Sequence, residues 1–304
     1  MTYFGLTLGS LYGLVAIGYS ISYGILELIN LAHGFVFMIG VLATVRLLNE
    51  RFHVQEGMAN DKLLLAVSVT TVAAALICGS LSAVIELVAY RPLRHAPRLA
   101  PLVSSVGVLF ILNNVLTVWN ARHGATSIPY LLPRATVLEV AGAPLSVDGL
   151  LIIAIAIAAL GALSRLLRST RFGKAMRAVS QDREASMLVG VNVNRTITGA
   201  FFLAGALAGV AAVPYALYLT TVGWDAALQL GLLGFAAAVV GGIGNLAGAA
   251  VGGILIGLTE AYSDGLPWLA PGTDWTHTVV LSVLICVLVV RPTGLFGERL
   301  AAGN

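Results

Sequence analysis

Residues 226–259 read AALQLGLLGFAAAVVGGIGNLAGAAVGGILIGLT, 34 residues without a charge. A hydrocarbon layer about 30 Å thick is crossed by roughly 20 apolar helical residues. A single straight helix of this length would run about 51 Å. Two complete crossings would need about 40 residues and a turn. Gly241, Gly242, Gly244 and Asn245 interrupt the run near its centre. The pattern predicts two short half-helices meeting at that turn, a broken or re-entrant segment. Unwound backbone at membrane depth survives only when buried in protein or lining a cavity. These four residues are therefore candidates for a functional centre and for the lining of a passage.

The rest of the chain has the same texture. Further charge-free runs cover 1–26, 28–45, 63–85, 99–121, 149–164, 196–224 and 275–290. Of 304 residues, 58% are hydrophobic and 10% charged, where a soluble domain carries about 25% charge. Mean hydropathy is +0.93. This excludes a soluble enzyme, a disordered chain and a nucleic-acid-binding domain. It predicts an all-α fold: a polytopic membrane helical bundle of about eight transmembrane helices, one domain over residues 1–304. The N-terminal MTYFGLTLGS has neither a basic n-region nor an A-x-A site, so it reads as mature chain rather than a signal peptide.

Charge placement predicts orientation. Twelve of the 17 basic residues fall in three segments: 91–101, 165–195 and the tail from Arg291. Such segments belong on the cytoplasmic side. Parity then puts the N-terminus outside and the C-terminus in the cytoplasm. Trp119, Trp224, Trp268 and Trp275 map to the outer interface as an aromatic belt. Gly5, Gly9 and Gly13 recur every fourth residue, as do Gly244, Gly248 and Gly252; Gly205 with Gly209 and Gly253 with Gly257 add pairs. This spacing predicts close helix packing in lipid. The first 45 residues share the texture of 226–259, which suggests an internal repeat.

Segment 165–195, RLLRSTRFGKAMRAVSQDREASMLVGVNVNR, is too polar to span and too long for an unstructured loop. Ala175, Val179, Met187 and Val191 alternate with basic and polar residues. The pattern predicts a pair of short amphipathic helices at the membrane face, organised for docking to a soluble partner; the bland alternative is a solvated basic loop.

The chain resembles the permease subunit of branched-chain amino acid ABC importers, of the LivH type. The matching stretches are 6–40, YRPLRHAP (90–97), GKAMRAVSQDREASMLVGVNVNR (173–195), AAAVVGGIGNLAGAAVGGILIGLTEA (236–261) and RPTGLFGE (291–298). They occur in order and cover essentially the whole chain. The resemblance implies import by ATP-driven alternating access in a bacterial inner membrane. It implies two ATPase subunits, a second LivM-like permease or a second copy of this chain, and an extracytoplasmic substrate-binding protein. Permeases of this kind carry E-A-A-x-x-x-G in a cytoplasmic loop. Here Glu184, Ala185, Ser186 and Gly190 take those positions after Arg183, with Ser186 replacing the second alanine. By resemblance this short helix is the ATPase-coupling element. Related permeases handle urea or short amides, so the substrate is open between these and Leu, Ile or Val.

Other polar residues admit two readings. Glu27, Asn30 and His33 lie in a turn at the cytoplasmic side and either cap helices or belong to the translocation path. Asn113 and Asn114 lie mid-span and either bond between helices or line the path. Glu86 reads as a local partner of Arg91, and Glu260 as a structural residue near the outer face. Cys78 and Cys286 read as small core residues, and His53, His95, His123 and His277 show no metal spacing. No catalytic constellation, cofactor motif or metal set is expected. A stand-alone secondary transporter would need a deep coupling acid, and the acids fall near span ends. A membrane-embedded enzyme built on His33 lacks a nucleophile–base pair.

Overall fold

The computed structural model describes residues 1–94, 96–97, 99–123, 126–129, 131, 136–140, 143–223, 226–265 and 273–297. Trp224, Trp268 and His95 lie outside the described residues. The helices are α1 (Thr2–Leu26), α2 (His33–Arg46), α3 (Asn60–Ile85), α4 (Leu99–His123), α5 (Val147–Ser169), α6 (Arg171–Gln181), α7 (Arg183–Leu188), α8 (Val193–Leu219), α9 (Ala226–Gly241), α10 (Leu246–Gly265) and α11 (Thr273–Val290). Helix α2 continues as a π-turn over Leu47–Arg51, and α3 as a π-turn over Glu86–Tyr90 and a 3-10 turn over Arg91–Leu93. Among the described residues, seven helices are long and apolar enough to cross a membrane, and Ala226–Gly241 and Trp275–Val290 are shorter apolar helices. Two small antiparallel ladders decorate the connections: β1 (Thr126–Ser127) with β4 (Thr221–Val222), and β2 (Thr136–Val140) with β3 (Ala143–Ser146).

Helix α1 is the axis of the bundle. Its most apolar window is 89% buried, against 22% for α4 and 11% for α5, which lie at the periphery. Glycines set its closest neighbour. A Cβ on Gly253 would lie 2.3 Å from the Cα of Gly13, and one on Gly257 would lie 2.2 Å from the amide of Gly9. A Cβ on Gly5 would lie 2.9 Å from the Cα of Leu258. Helices α1 and α10 therefore run antiparallel with backbone on backbone, the small-residue packing that the spacing predicts. Gly205 and Gly209 do the same for α8 against the Cys78 and Ala74 carbonyls of α3. Both cysteines are free, Cys78 buried and Cys286 exposed.

The break in 226–259 stands where the sequence places it, but its depth differs. The turn at 242–245 lies beside Gly24, near the end of α1, while at the other end Gly265 meets Met1. Helix α10 is therefore long enough, at 20 residues, to accompany α1 over its length. Helices α9 and α10 form a hairpin whose turn sits at one end of the bundle. The turn of α1–α2 lies at this same end. A turn at the surface leaves its free backbone groups within reach of other polar chain segments, which a turn in the hydrocarbon would not.

Candidate functional site

The end of the bundle that holds both turns also holds the basic segments. Segment 165–195 folds there as the end of α5, then α6 and α7. Thr170 caps α6 by accepting from the Gly173 amide at 3.0 Å, and Asp182 caps α7 by accepting from the Ala185 amide at 2.9 Å. Such caps satisfy orphan amides at a helix start. Helix α6 buries Gly173, Met176 and Val179 and leaves Arg171, Lys174 and Arg177 exposed. Helix α7 ends at Gly190, whose φ of 83° lies in the left-handed region. The Gly190 amide bonds to the Met187 carbonyl, and the Val191 amide to the Ser186 carbonyl, both at 3.0 Å. This paired closure suits glycine, which has no Cβ to clash there.

Of the five residues expected to couple, only part of the set faces outward. Glu184, Ala185 and Gly190 are exposed, and Ser186 is buried with its hydroxyl on the Asp182 carbonyl at 2.6 Å. Arg183 turns inward instead: its guanidinium donates to the Leu26 carbonyl at 3.2 Å and approaches the Ile25 carbonyl at 3.5 Å. These are the last carbonyls of α1, where a cation is favoured by the helix dipole. Glu27 follows them in the left-handed conformation, φ 55°, with its amide on the Tyr23 carbonyl at 2.7 Å. Met187, Leu188 and Val189 are exposed, so Met187 is not on the packed face that the sequence pattern assigns to it.

A second polar cluster stands beside this one. Glu86 is fully buried and pairs with Arg94, not with Arg91. It also accepts from the Thr198 hydroxyl at 2.6 Å, and Arg94 donates to the Asn194 side chain at 2.6 Å. The π-turn and 3-10 turn after α3 carry Arg94 back over Glu86, and the pair joins the end of α3 to the start of α8. Spacing along one helix could not reveal this, because the pairing depends on that irregular turn.

The α1–α2 turn buries Asn30 and His33. Asn30 accepts from the Ala32 amide at 3.2 Å and from the Tyr90 hydroxyl at 2.9 Å. It is a bridge between α2 and the end of α3. His33 is fully buried, with its ring in hydrogen-bonding reach of the Val15 carbonyl of α1. The ring stacks edge-on against Tyr19, centroids 4.8 Å apart. Tyr19 was not singled out by sequence, since one tyrosine in an apolar helix reads as core.

Of the four turn residues of 241–245, Gly241, Gly242 and Asn245 meet the tail, and Gly244 faces Tyr23 of α1. The Leu295 and Phe296 amides donate to the Val240 and Gly241 carbonyls at 2.9 and 3.0 Å. Asn245 caps α10 by accepting from the Gly248 amide at 3.0 Å and donates to the Phe296 carbonyl at 3.1 Å. Gly242, at φ 105°, allows the tail backbone to approach: a Cβ there would lie 2.4 Å from the Gly297 amide. Asn113 and Asn114 are not brought to any of these clusters. Asn114 is exposed on peripheral α4 and bonds the Phe110 carbonyl of its own helix at 2.9 Å. At the opposite end Glu260 lies half-buried near Tyr12 and Tyr215, and Arg46 stacks on Trp119 at 5.2 Å. Among the described residues no group of His, Cys, Asp and Glu side chains is arranged to hold a metal ion.

A family model described as the permease component of branched-chain amino acid transport systems matches residues 1–288. The high-affinity branched-chain amino acid transport system permease protein BraD of Pseudomonas aeruginosa is 35% identical over 301 residues, 97% of this chain and 94% of the relative. The corresponding LivH proteins of Salmonella typhimurium and Escherichia coli K12 are 33% and 34% identical over 297 residues, with the same coverage. No solved structure matches the chain. A hydrophobic bundle organised around α1, with this match over nearly its full length, is a multi-pass membrane permease and not an enzyme: the chain belongs to the family of branched-chain amino acid transport system permease components.

Proposed function

We propose that this chain is the membrane subunit of a bacterial ABC importer that moves Leu, Ile or Val across the inner membrane by alternating access. The observation that carries the reading is the placement of α7. It presents exposed Glu184, Met187, Leu188 and Val189 at the basic end while Arg183 is inserted at the end of α1. A partner that moves α7 thereby moves the axial helix. Cationic ends face the cytoplasm, so this surface faces cytoplasmic ATPases, the N-terminus lies outside and the C-terminus inside. The assembly is two ATPase subunits, a second permease (a LivM-like chain or a second copy) and an extracytoplasmic binding protein.

In this reading 165–195 is the coupling segment, with Arg183, Glu184, Ala185, Ser186 and Gly190 as its working residues. Asn30 and His33 belong to the translocation path, together with the 241–245 turn residues Gly241, Gly242, Gly244 and Asn245, which gate its cytoplasmic end. Asn113 and Asn114 sit on a helix whose exposed face suits the second permease.

The test is uptake of radiolabelled leucine into proteoliposomes holding the complete transporter and its binding protein. The reading expects uptake that needs ATP. Uptake of urea in place of leucine would change the substrate, and uptake by this chain alone without ATP would overturn the importer assignment.

A further inference from the structure

We propose that the corner where α5 passes into α6 binds the headgroups of anionic phospholipids through Arg165, Arg168, Arg171 and Lys174. The inference goes beyond the transport reading and rests only on the chain's place in a membrane.

Of the seven membrane-length helices, α5 is the most exposed: 11% of its most apolar window is buried. Leu150, Ala154, Ile157 and Gly161 are exposed along it at steps of three or four residues, so they share one face. An added Cβ on Gly161 meets nothing within 4 Å. That face is apolar and suits lipid chains. Arg165 and Arg168 continue the same spacing and are also exposed. They therefore leave the lipid-facing side of the helix where its apolar run ends, at the depth at which long cationic side chains reach the headgroups.

The chain turns sharply after them. Thr170 is extended between the helices, φ −93° and ψ 157°. Gly173 lets α6 lie on the last turns of α5, since a Cβ there would overlap the Leu167 carbonyl. Arg177 donates to that same carbonyl, and Phe172 packs against Gly199 of α8. The corner is thus a fixed bracket rather than a solvated loop. Met176 and Val179 are buried on its inner side, while Arg171 and Lys174 are exposed three residues apart.

Residues 149–181 hold five basic residues and no acid. Among the described residues the ion pairs are Arg46 with Glu50 and Glu86 with Arg94. Of the five, only Arg177 makes a side-chain hydrogen bond there. The next acids along the chain belong to α7, where Asp182 accepts from the Ala185 amide and Glu184 is exposed. Four free cations at the membrane side of a helix attract anionic headgroups, and arginine adds two-pronged donation to phosphate oxygens. A zwitterionic headgroup carries its own ammonium and lacks the net charge. A soluble subunit is the poorer fit, because Arg165 and Arg168 stand on the lipid-facing stripe.

The full chain with its co-purified partners, in an uncharged detergent, supplies the test. Phosphatidylglycerol, phosphatidylcholine with the same acyl chains, or inorganic phosphate is added. The melting temperature is followed, and native mass spectrometry counts the lipids retained on this chain. Phosphatidylglycerol should raise the melting temperature and stay bound, and the other two should do neither. Arg165→Gln with Arg168→Gln should weaken phosphatidylglycerol binding about thirtyfold, at roughly fivefold for each cation at a membrane surface. Arg165→Lys with Arg168→Lys should keep most of it. If the glutamine pair fails to fold, Arg171→Gln with Lys174→Gln carries the test. Arg91→Gln with Arg195→Gln removes two exposed cations elsewhere at the basic end and should leave binding unchanged. Equal loss in that control pair, equal binding of phosphatidylcholine, or a full shift with inorganic phosphate would overturn the site. Loss of the ATPase subunits from the Arg165 and Arg168 variant, with phosphatidylglycerol binding intact, would overturn it in favour of a protein-docking surface.

Discussion

Arg183 of α7 donates to the carbonyl of Leu26 at 3.2 Å, which ties the short helix at the basic end to the last turn of the axial helix. Removing the guanidinium leaves α7 in place, held by its Asp182 cap and Gly190 closure, but unlinked from α1. Arg183→Ala should lower ATP-driven uptake about tenfold, the effect of losing roughly 1.4 kcal/mol of coupling, while ATP hydrolysis continues. Arg183→Lys should restore part of it, since a point charge still favours a helix C-terminus. Parallel measurement of hydrolysis and uptake checks this, and equal loss of both would mean that Arg183 only supports folding.

The α1–α10 interface predicts a stability contrast among glycines. Gly253→Ala and Gly257→Ala place a methyl group 2.3 and 2.2 Å from backbone atoms of α1. Overpacking of this kind costs about 1–3 kcal/mol. Thermal unfolding in detergent should show lowered midpoints for both. Gly107→Ala and Gly161→Ala, where a Cβ meets nothing within 4 Å, should stay within error of the wild type or rise.

Glu86 and Arg94 are nearly sealed from solvent, at 0% and 8% side-chain exposure. Breaking a buried ion pair by removing one partner costs on the order of 3–5 kcal/mol, because the other charge is stranded. Arg94→Met should therefore destabilise strongly. The double variant Glu86→Gln with Arg94→Met should recover much of the loss. A double-mutant cycle on the unfolding midpoint reads the coupling directly, and additive effects would show that the pair contributes nothing as a pair.

Glu27 holds a left-handed backbone conformation, φ 55°, at the end of α1. A non-glycine residue there costs about 1–2 kcal/mol. Glu27→Gly should raise the melting temperature without lowering uptake, because the exposed carboxylate has no partner that this end of α1 requires. A fall in uptake with the stability gain intact would assign the side chain a role in transport.

Much of this architecture was legible from the sequence, for physical reasons that can be named. Charge-free runs mark helices because bilayer thickness fixes their length, and GGIGN marks a break because two of its glycines, Gly242 and Gly244, take positive φ. The glycine stripes of α1 and α10 announce backbone contact, since nothing else uses that spacing at a bundle axis. Depth was not legible: the turn at 242–245 sits at the bundle end because the tail amides of Leu295 and Phe296 cap α9 there, and no local pattern encodes a bond across more than fifty residues. Arg183 reads as part of a surface motif, yet its side chain points to α1. Tyr19 carries no signal at all until Gly34 and Gly231 are seen in contact around its hydroxyl.

The most direct test of the account is leucine uptake and ATP hydrolysis measured together for the complete transporter, wild type against Gly190→Arg. Gly190 is exposed, at φ 83°, with no atom within 4 Å of an added Cβ. The substitution therefore strains only the end of α7 and the surface it offers. If α7 is the coupling element, uptake falls to background while the bundle keeps its melting temperature and the ATPases keep their basal rate. Uptake at the wild-type level in Gly190→Arg would contradict the account.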